Sequence, residues 1–322
     1  MSHELKVKEI PVPLKNKHDP VKYDILPSHE FTMGIIAPAG SGKTTLLCNL
    51  LIFYKRYFHT IIIFSPTIDN DEKWDHIKER DDMLGENKKL IKAIEEIKKK
   101  QKKKFQDNPV VDTPKEFHGD IDEIEVNRKE PGEKKFDGTI PEECFLTEYK
   151  PSDLMEYIDE QQNVVKILKG HGYSRHTANR ILMVFDDLVG STLFSTSRDN
   201  AFTKLNIRRR HLSTSVIMIS QAYKEIQKTI RTNFSCLILF EIFSDSELEA
   251  IYNEYPMGMK KDQWLELYKY AVEGDHNFLF YNMKRPKRLR IMKNFDQYLF
   301  FKNDEKDEEP PKKKTKFIKP QL

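Results

Sequence analysis

The sequence predicts an α/β fold: a central, mostly parallel sheet flanked by helices, carrying a charged insertion. Three observations predict it. Short apolar runs alternate with amphipathic stretches through most of the chain, the pattern of strands linked by helices. A glycine-containing turn, APAGSGKTT at residues 37–45, joins the first apolar run to the first amphipathic stretch. A later apolar run, ILMVF at 181–185, stops at Asp186-Asp187.

Composition removes several other classes. With 12 Gly and 16 Pro among 322 residues the chain is not collagen-like, and 20 Phe and 13 Tyr are enough aromatic bulk for a core. The 54 Lys+Arg and 51 Asp+Glu leave a net charge of +3, too small to prove a nucleic-acid partner without local clustering. Cys48, Cys144 and Cys236 have no CxxC neighbour, which argues against a disulfide framework or a thiolate zinc site and for a reducing, intracellular setting. The N-terminal residues contain no apolar signal core. The longest apolar runs, 46–53 and 236–243, are short and interrupted by Asn49 and Glu241, so a soluble chain without a membrane partner is expected.

The elements follow in order. Residues 1–29 are polar and punctuated by proline, and read as an N-terminal arm. FTMGII from Phe31 is a strand and the TTLLCNLLIFYKRYF that follows the turn is a helix. TIIIFSP from Thr60 is a strand buried on both faces. Apolar density then drops over 68–150, an insertion. Within it 88–104 is a strongly basic helix with Leu90, Ile94 and Ile97 on one side, and 107–150 is acidic and loop-like. A structureless loop of this length is unusual, so one or two helices are expected there. The core pattern resumes with a helix at 151–169 opened by an N-cap at Ser152, the strand of 181–187, a helix at 198–209 and a strand at 213–221. A helix at 222–231, a strand at 236–243, helices at 246–255 and 262–272, and a closing hairpin (HNFLFYNM, RLRIM) complete the domain, 30–300. Residues 301–322 are a charged tail expected to be disordered.

The turn at 37–45 has the sequence and the strand–helix context of a phosphate-binding loop. Ala37, Pro38, Ala39, Gly40, Ser41, Gly42, Lys43, Thr44 and Thr45 are the candidate residues for ATP. Gly40 and Gly42 let the backbone wrap a phosphate chain, with N–H groups and a helix N-terminus facing the anion. Lys43 reaches the β- and γ-phosphates, and the Thr44 hydroxyl holds Mg²⁺. One position departs from the usual pattern: Ala37 stands where glycine is expected, at a cost on the order of 1 kcal/mol if that turn needs positive φ. Asp186 is the second candidate Mg²⁺ ligand, and Asp187 the acid that orients the attacking water. Parallel strands bring their C-terminal ends to one ligand side, so Gln221 should converge there with Lys43 and Asp186. Arg210, with Arg209 as second choice, is the candidate arginine inserted into a neighbouring subunit's nucleotide site. Lys228, Arg231 and Asn233 form another polar group, for phosphates or a subunit boundary.

Taken together, APAGSGKTT, VFDD, RRRHLSTSVIMISQ and IRTNFSCLILF resemble the genome-packaging ATPases of large eukaryotic DNA viruses, poxviruses and virophages, within the FtsK/HerA superfamily of DNA pumps. The resemblance spans about 31–255, interrupted by the insertion. It implies a P-loop NTPase core of the ASCE, RecA/FtsK-like type, with an extra strand between the loop-bearing strand and the Asp-Asp strand. It also implies ATP hydrolysis with Mg²⁺, and a homo-oligomeric ring, pentamer or hexamer, that threads double-stranded DNA into a capsid through capsid or portal-vertex proteins. The expected location is the host nucleus or a cytoplasmic viral factory, or the virion. The basic helix of 88–104 and the hairpin segment 284–290 are candidate DNA-gripping elements, and PPKKKTK in the tail is either an import signal or a DNA-binding arm. A cellular or plasmid pump or helicase of the same superfamily, a P-loop small-molecule kinase, and a nucleotide switch with little turnover are the competing readings.

Overall fold

The computed structural model describes residues 21–107, 138–188, 191–195 and 200–299, with the backbone alone over 102–107. Strand β1 (Thr32–Ile36) runs into helix α1 (Lys43–Phe53), and β2 (Thr60–Phe64) follows. A short α2 (Asp75–Lys78) and a long α3 (Lys88–Asp107) precede β3 (Phe145–Leu146) and α4 (Pro151–Gly170). The alternation continues through β4 (Ile181–Phe185), α5 (Ala201–Arg208), β5 (Thr214–Ser220), α6 (Lys228–Arg231) and β6 (Cys236–Leu239). The described chain closes with α7 (Asp245–Glu254), α8 (Lys261–Val272), β7 (Leu279–Asn282), β8 (Ile291–Lys293) and β9 (Gln297–Tyr298).

The strands form one sheet in the order β3-β2-β4-β5-β1-β6-β7-β8-β9. The first six in that order are parallel and the last three are added antiparallel. Strand β5 lies between β1 and β4, which is the inserted strand that the family resemblance implies. Every residue of β1, β4, β5 and β6 is buried, as expected for strands covered on both faces. The register aligns Ile36 with Ser220, and Phe64 with Phe185 and Phe185 with Met218, so the chain leaves β1, β2, β4 and β5 along one rim.

Several sequence expectations shift. The helix expected at 222–231 is a single 3₁₀ turn at Tyr223–Glu225 followed by the four-residue α6. Helix α4 begins at Pro151 with Lys150 as its N-cap, not at Ser152; proline suits the first helical position because its missing N–H would have no partner there. The end of the N-terminal segment is part of the core: Leu26 is buried, Tyr54 donates to the Pro27 carbonyl, and the His29 ring bonds the hydroxyls of Ser213 and Ser215. The insertion supplies helices, as expected, and also β3, which extends the sheet beyond β2. Its basic helix α3 buries Leu90, Ala93, Ile94 and Ile97 against Ile167, Leu168 and Ala178, a second core beside the main one. Residues 1–20, most of the acidic stretch 107–150 and the tail from 300 lie outside the described residues.

Candidate nucleotide-binding site

The loop between β1 and α1 is closed by Ser41, whose hydroxyl donates to the Pro38 carbonyl at 2.8 Å. Gly40 and Gly42 sit at φ 76 and 89, the left-handed region that disfavours a side chain. Ala37 keeps a negative φ, so it carries none of the strain that its departure from glycine would bring. Its N–H donates to the Ser220 carbonyl at 3.1 Å, tying the loop's start to the end of β5. Lys43 is the first residue of α1, followed by Thr44 and Thr45, and no acidic side chain occupies that first turn. The helix N-terminus therefore keeps its positive end for an anion.

The two acids have different surroundings. Asp186 is 1% exposed, and its N–H is anchored to the Phe64 carbonyl at 2.9 Å. The rings of Phe64 and Phe185, stacked at 5.0 Å, brace the two strand ends. Ser65 donates to Asp186 Oδ2 at 2.9 Å, whereas the buried Oδ1 has no hydrogen-bond partner among the described residues. Burial pushes the carboxyl up to about 6, opposed by the Ser65 hydrogen bond and the Lys43 charge. A shielded carboxylate oxygen without a partner suits a hard divalent cation, so the donor set fits Mg²⁺ held by Asp186 and the Thr44 hydroxyl. Asp187 turns the other way. At φ 51 it adopts the left-handed conformation that aspartate tolerates better than most residues. Its carboxylate accepts from Lys43 Nζ at 2.9 Å and from Gln221 Nε2 at 2.9 Å. The sequence placed Lys43, Asp186 and Gln221 on one edge; in the structure Lys43 and Gln221 meet on Asp187, and Asp186 next to it bonds Ser65 instead.

Arg210 is not part of this cluster. It is exposed and precedes β5, whereas Gln221 follows it; the seven-residue strand puts about 20 Å between the two ends. Arg209, the second choice, is committed inside the protein: it is 5% exposed and donates to the Asn206 carbonyl at 2.7 Å. Arg231 is engaged too, paired with Glu254 at 2.9 Å and stacked on the Tyr223 ring, while Asn233 bonds the Thr229 carbonyl. Lys228 is exposed.

Two residues of the site were not foreseen. Ser65 follows β2 at the ligand rim, and the strand-end rule that singled out Gln221 applies equally to it. His276 lies in the loop between α8 and β7, and its Nδ1 is 3.0 Å from the Ser41 carbonyl, where it donates across 235 positions of sequence that give no local signal. Beside the phosphate loop, a cleft of about 910 Å³ runs between Pro38–Ser41 and a wall that carries Phe240, Phe243, Tyr270, His276 and Asn277 together with the carboxylates of Glu241, Glu266, Glu273 and Asp275.

A strand inserted between the loop-bearing and acid-bearing strands, with this loop opening onto a helix N-terminus, defines a P-loop NTPase fold of the ASCE type. Residues 147–276 match the family described as Poxvirus A32 protein. That span holds Asp186, Asp187, Arg210 and Gln221, and residues 37–45 precede it. No curated protein sequence matches the chain. Among solved structures the chain is similar to B204, the DNA-packaging ATPase from Sulfolobus Turreted Icosahedral Virus, at 13% identity and a TM-score of 0.46, covering 83% of this chain and 98% of that one. The genome packaging NTPase B204 of Sulfolobus turreted icosahedral virus 2, in complex with ATP-gammaS, gives 11% identity and a TM-score of 0.46 over 82% of this chain and 96% of its own. EssC (ATPases 2 and 3) from Geobacillus thermodenitrificans gives 14% and 0.38, with 83% and 39% covered. Among the described residues no helix is long and apolar enough to cross a membrane.

Proposed function

We propose that the protein is an ATP-hydrolysing motor that translocates double-stranded viral DNA into a capsid. The observation that carries the hydrolytic part is the meeting of Lys43, the first residue of α1, with Asp187 and Gln221, which follow the parallel strands β4 and β5, at a helix N-terminus whose first turn holds no acid. The motif set and the match over 147–276 support the viral packaging part. A homo-oligomeric ring, a capsid or portal partner, and a site in the host nucleus or viral factory complete the proposal.

The chain's own groups divide the work. Loop N–H groups and the α1 N-terminus bind the phosphates. The cleft beside the loop is of the size that takes a nucleoside. Lys43 leaves Asp187 for the triphosphate, which frees that carboxylate to accept a proton from water as the water oxygen bonds to the γ-phosphorus and the bond to the bridging oxygen breaks. Asp186 and Thr44 would hold Mg²⁺, which would supply charge neutralisation on the phosphate oxygens. Gln221, bonded to Asp187, registers the change when the phosphate leaves. Arg210 of an adjacent copy stabilises the transferring charge.

The test is steady-state ATP turnover with and without double-stranded DNA, for the wild type and Lys43→Ala. Turnover that DNA raises and Lys43→Ala abolishes is the expected result. A wild type that turns over ATP but neither binds DNA at low salt nor responds to it would sink the motor reading and leave a P-loop enzyme of another kind.

A further inference from the structure

At the rim opposite the phosphate loop lies a groove of about 630 Å³ between α4 and the turns that lead into β4 and β5. Its lining includes Lys166, Lys169, Arg175, Arg208 and His211, with no carboxylate among the lining residues. Lys166, Lys169, Arg208 and His211 are exposed and enter no ion pair among the described residues. Arg175 is held loosely by Glu30, Nε to Oε1 at 3.5 Å. At the groove's edge Glu96 accepts from the Tyr173 hydroxyl and faces Lys92. Four permanent positive charges and an imidazole thus share one open groove, a costly arrangement for a surface with no anion to meet.

The charge continues on both sides. Lys284 lies on the same rim, its ammonium pushed down chiefly by burial. On the other flank, α3 is fixed to α4 by its buried Leu90, Ile94 and Ile97, which leaves Lys88, Lys99 and Lys100 exposed beyond the groove. A free phosphate or nucleotide would need the groove alone. A track of cations longer than the groove fits a ligand with regularly repeated phosphates.

We infer that the groove of Lys166, Lys169, Arg175, Arg208 and His211 seats the phosphodiester backbone of the DNA duplex, at the end of the sheet opposite ATP. The inference rests on the motor reading and moves the main grip from the 88–104 helix and the 284–290 segment, now flanking contacts, to the groove between them. Binding is through charge and therefore independent of base sequence.

The experiment uses the full chain and a fluorescein-labelled random-sequence duplex, with anisotropy titrations across a KCl series. The variant is Lys166→Gln/Lys169→Gln/Arg208→Gln, which removes three charges and leaves shorter polar side chains; its melting midpoint is the folding control. Lys166→Gln/Lys169→Gln, confined to two exposed side chains, is the second variant should the first fail to fold. The expected result is affinity at least ten-fold lower at low salt, with the slope of log K against log salt reduced by about 0.9 for each phosphate no longer neutralised. Wild-type affinity and slope in a folded variant would overturn the groove assignment and leave the motor reading standing. A wild type that binds no duplex overturns both. Unchanged DNA affinity together with abolished ATP turnover also overturns it, because the groove would then serve a neighbouring copy's triphosphate.

Discussion

Lys43 Nζ lies 2.9 Å from Asp187 Oδ2, and the two side chains are only 12% and 23% exposed. The group proposed to receive the triphosphate and the group proposed to aim the water are each other's partner. On the proposed reading, nucleotide entry exchanges that ion pair for a lysine–phosphate contact, so binding and release of the Asp187 carboxylate are one event.

Replacing Asp187 with Asn removes the competitor for Lys43 and the proton acceptor together. Nucleotide should bind roughly 2- to 5-fold more tightly, the worth of a partly exposed ion pair. Turnover should fall by about 10²-fold or more. Calorimetric titration with a non-hydrolysable analogue and a single-turnover assay read the two effects separately, and an Asp187→Asn variant that hydrolyses at the wild-type rate would remove Asp187 from the mechanism.

Gln221 contacts the Asp187 carboxylate at 2.9 Å and 3.3 Å, so it acts on position. Gln221→Ala should lower kcat about 10-fold, the value of one hydrogen bond to a charged group, with KM nearly unchanged. Gln221→Glu should be worse, because a second carboxylate would face the first. Equal rates for the Ala and Glu variants would show that this contact does not matter to the chemistry.

Ala37 has negative φ, is fully buried, and donates its N–H to the Ser220 carbonyl. Restoring the usual glycine therefore relieves nothing. Ala37→Gly should destabilise the chain by about 0.5–1 kcal/mol through added backbone freedom and leave ATP affinity unchanged. A melting curve and a nucleotide titration decide it, and tighter ATP binding by the variant would contradict the geometry.

The phosphate loop, the Asp-Asp strand end and Gln221 were legible in sequence because each is local: a motif, an apolar run and a strand terminus. The sheet's parallel half was legible for the same reason, since β1, β2, β4, β5 and β6 are continuous apolar runs. What escaped depends on contacts distant in sequence. The hydrogen bond from His276 to Ser41 needs the fold to exist, and β3 is two residues long and visible only through its pairing with β2. Arg209 and Arg210 are identical as letters; only burial separates the arginine that ties down α5 from the one that faces outward.

Within one chain Arg210 and Gln221 stand at opposite ends of β5, so the role proposed for Arg210 on ATP requires that it come from another copy. Lys43→Ala subunits and Arg210→Ala subunits should each be inactive alone. Mixed one to one, they should recover turnover at the junctions where an intact Lys43 faces an intact Arg210, about a quarter of all junctions in a head-to-tail ring. Turnover by pure Arg210→Ala protein at the wild-type rate, or no recovery in mixtures shown by sizing to have co-assembled, would rule out Arg210 as the shared residue.

The buried acid makes a prediction about pH that needs no ligand. Burial holds the Asp186 carboxyl at about 6, above its ordinary 3.8. Between those values the folded chain keeps a proton that the unfolded chain has released, so this group's contribution to stability falls as pH rises from about 4 to about 6 and is constant above that. The full effect is on the order of 3 kcal/mol. Asp186→Asn abolishes the titration, so the ligand-free variant should melt higher than the wild type near pH 7.5. The gap should close as pH drops toward 4, with the other carboxylates cancelling in the difference. Added Mg²⁺ and nucleotide should reverse the order, because only the wild type keeps the carboxylate proposed to hold Mg²⁺. Melting curves at both pH values, with and without Mg²⁺ and a non-hydrolysable analogue, measure this; a gap independent of pH would mean that Asp186 stays ionised in the folded chain without its cation.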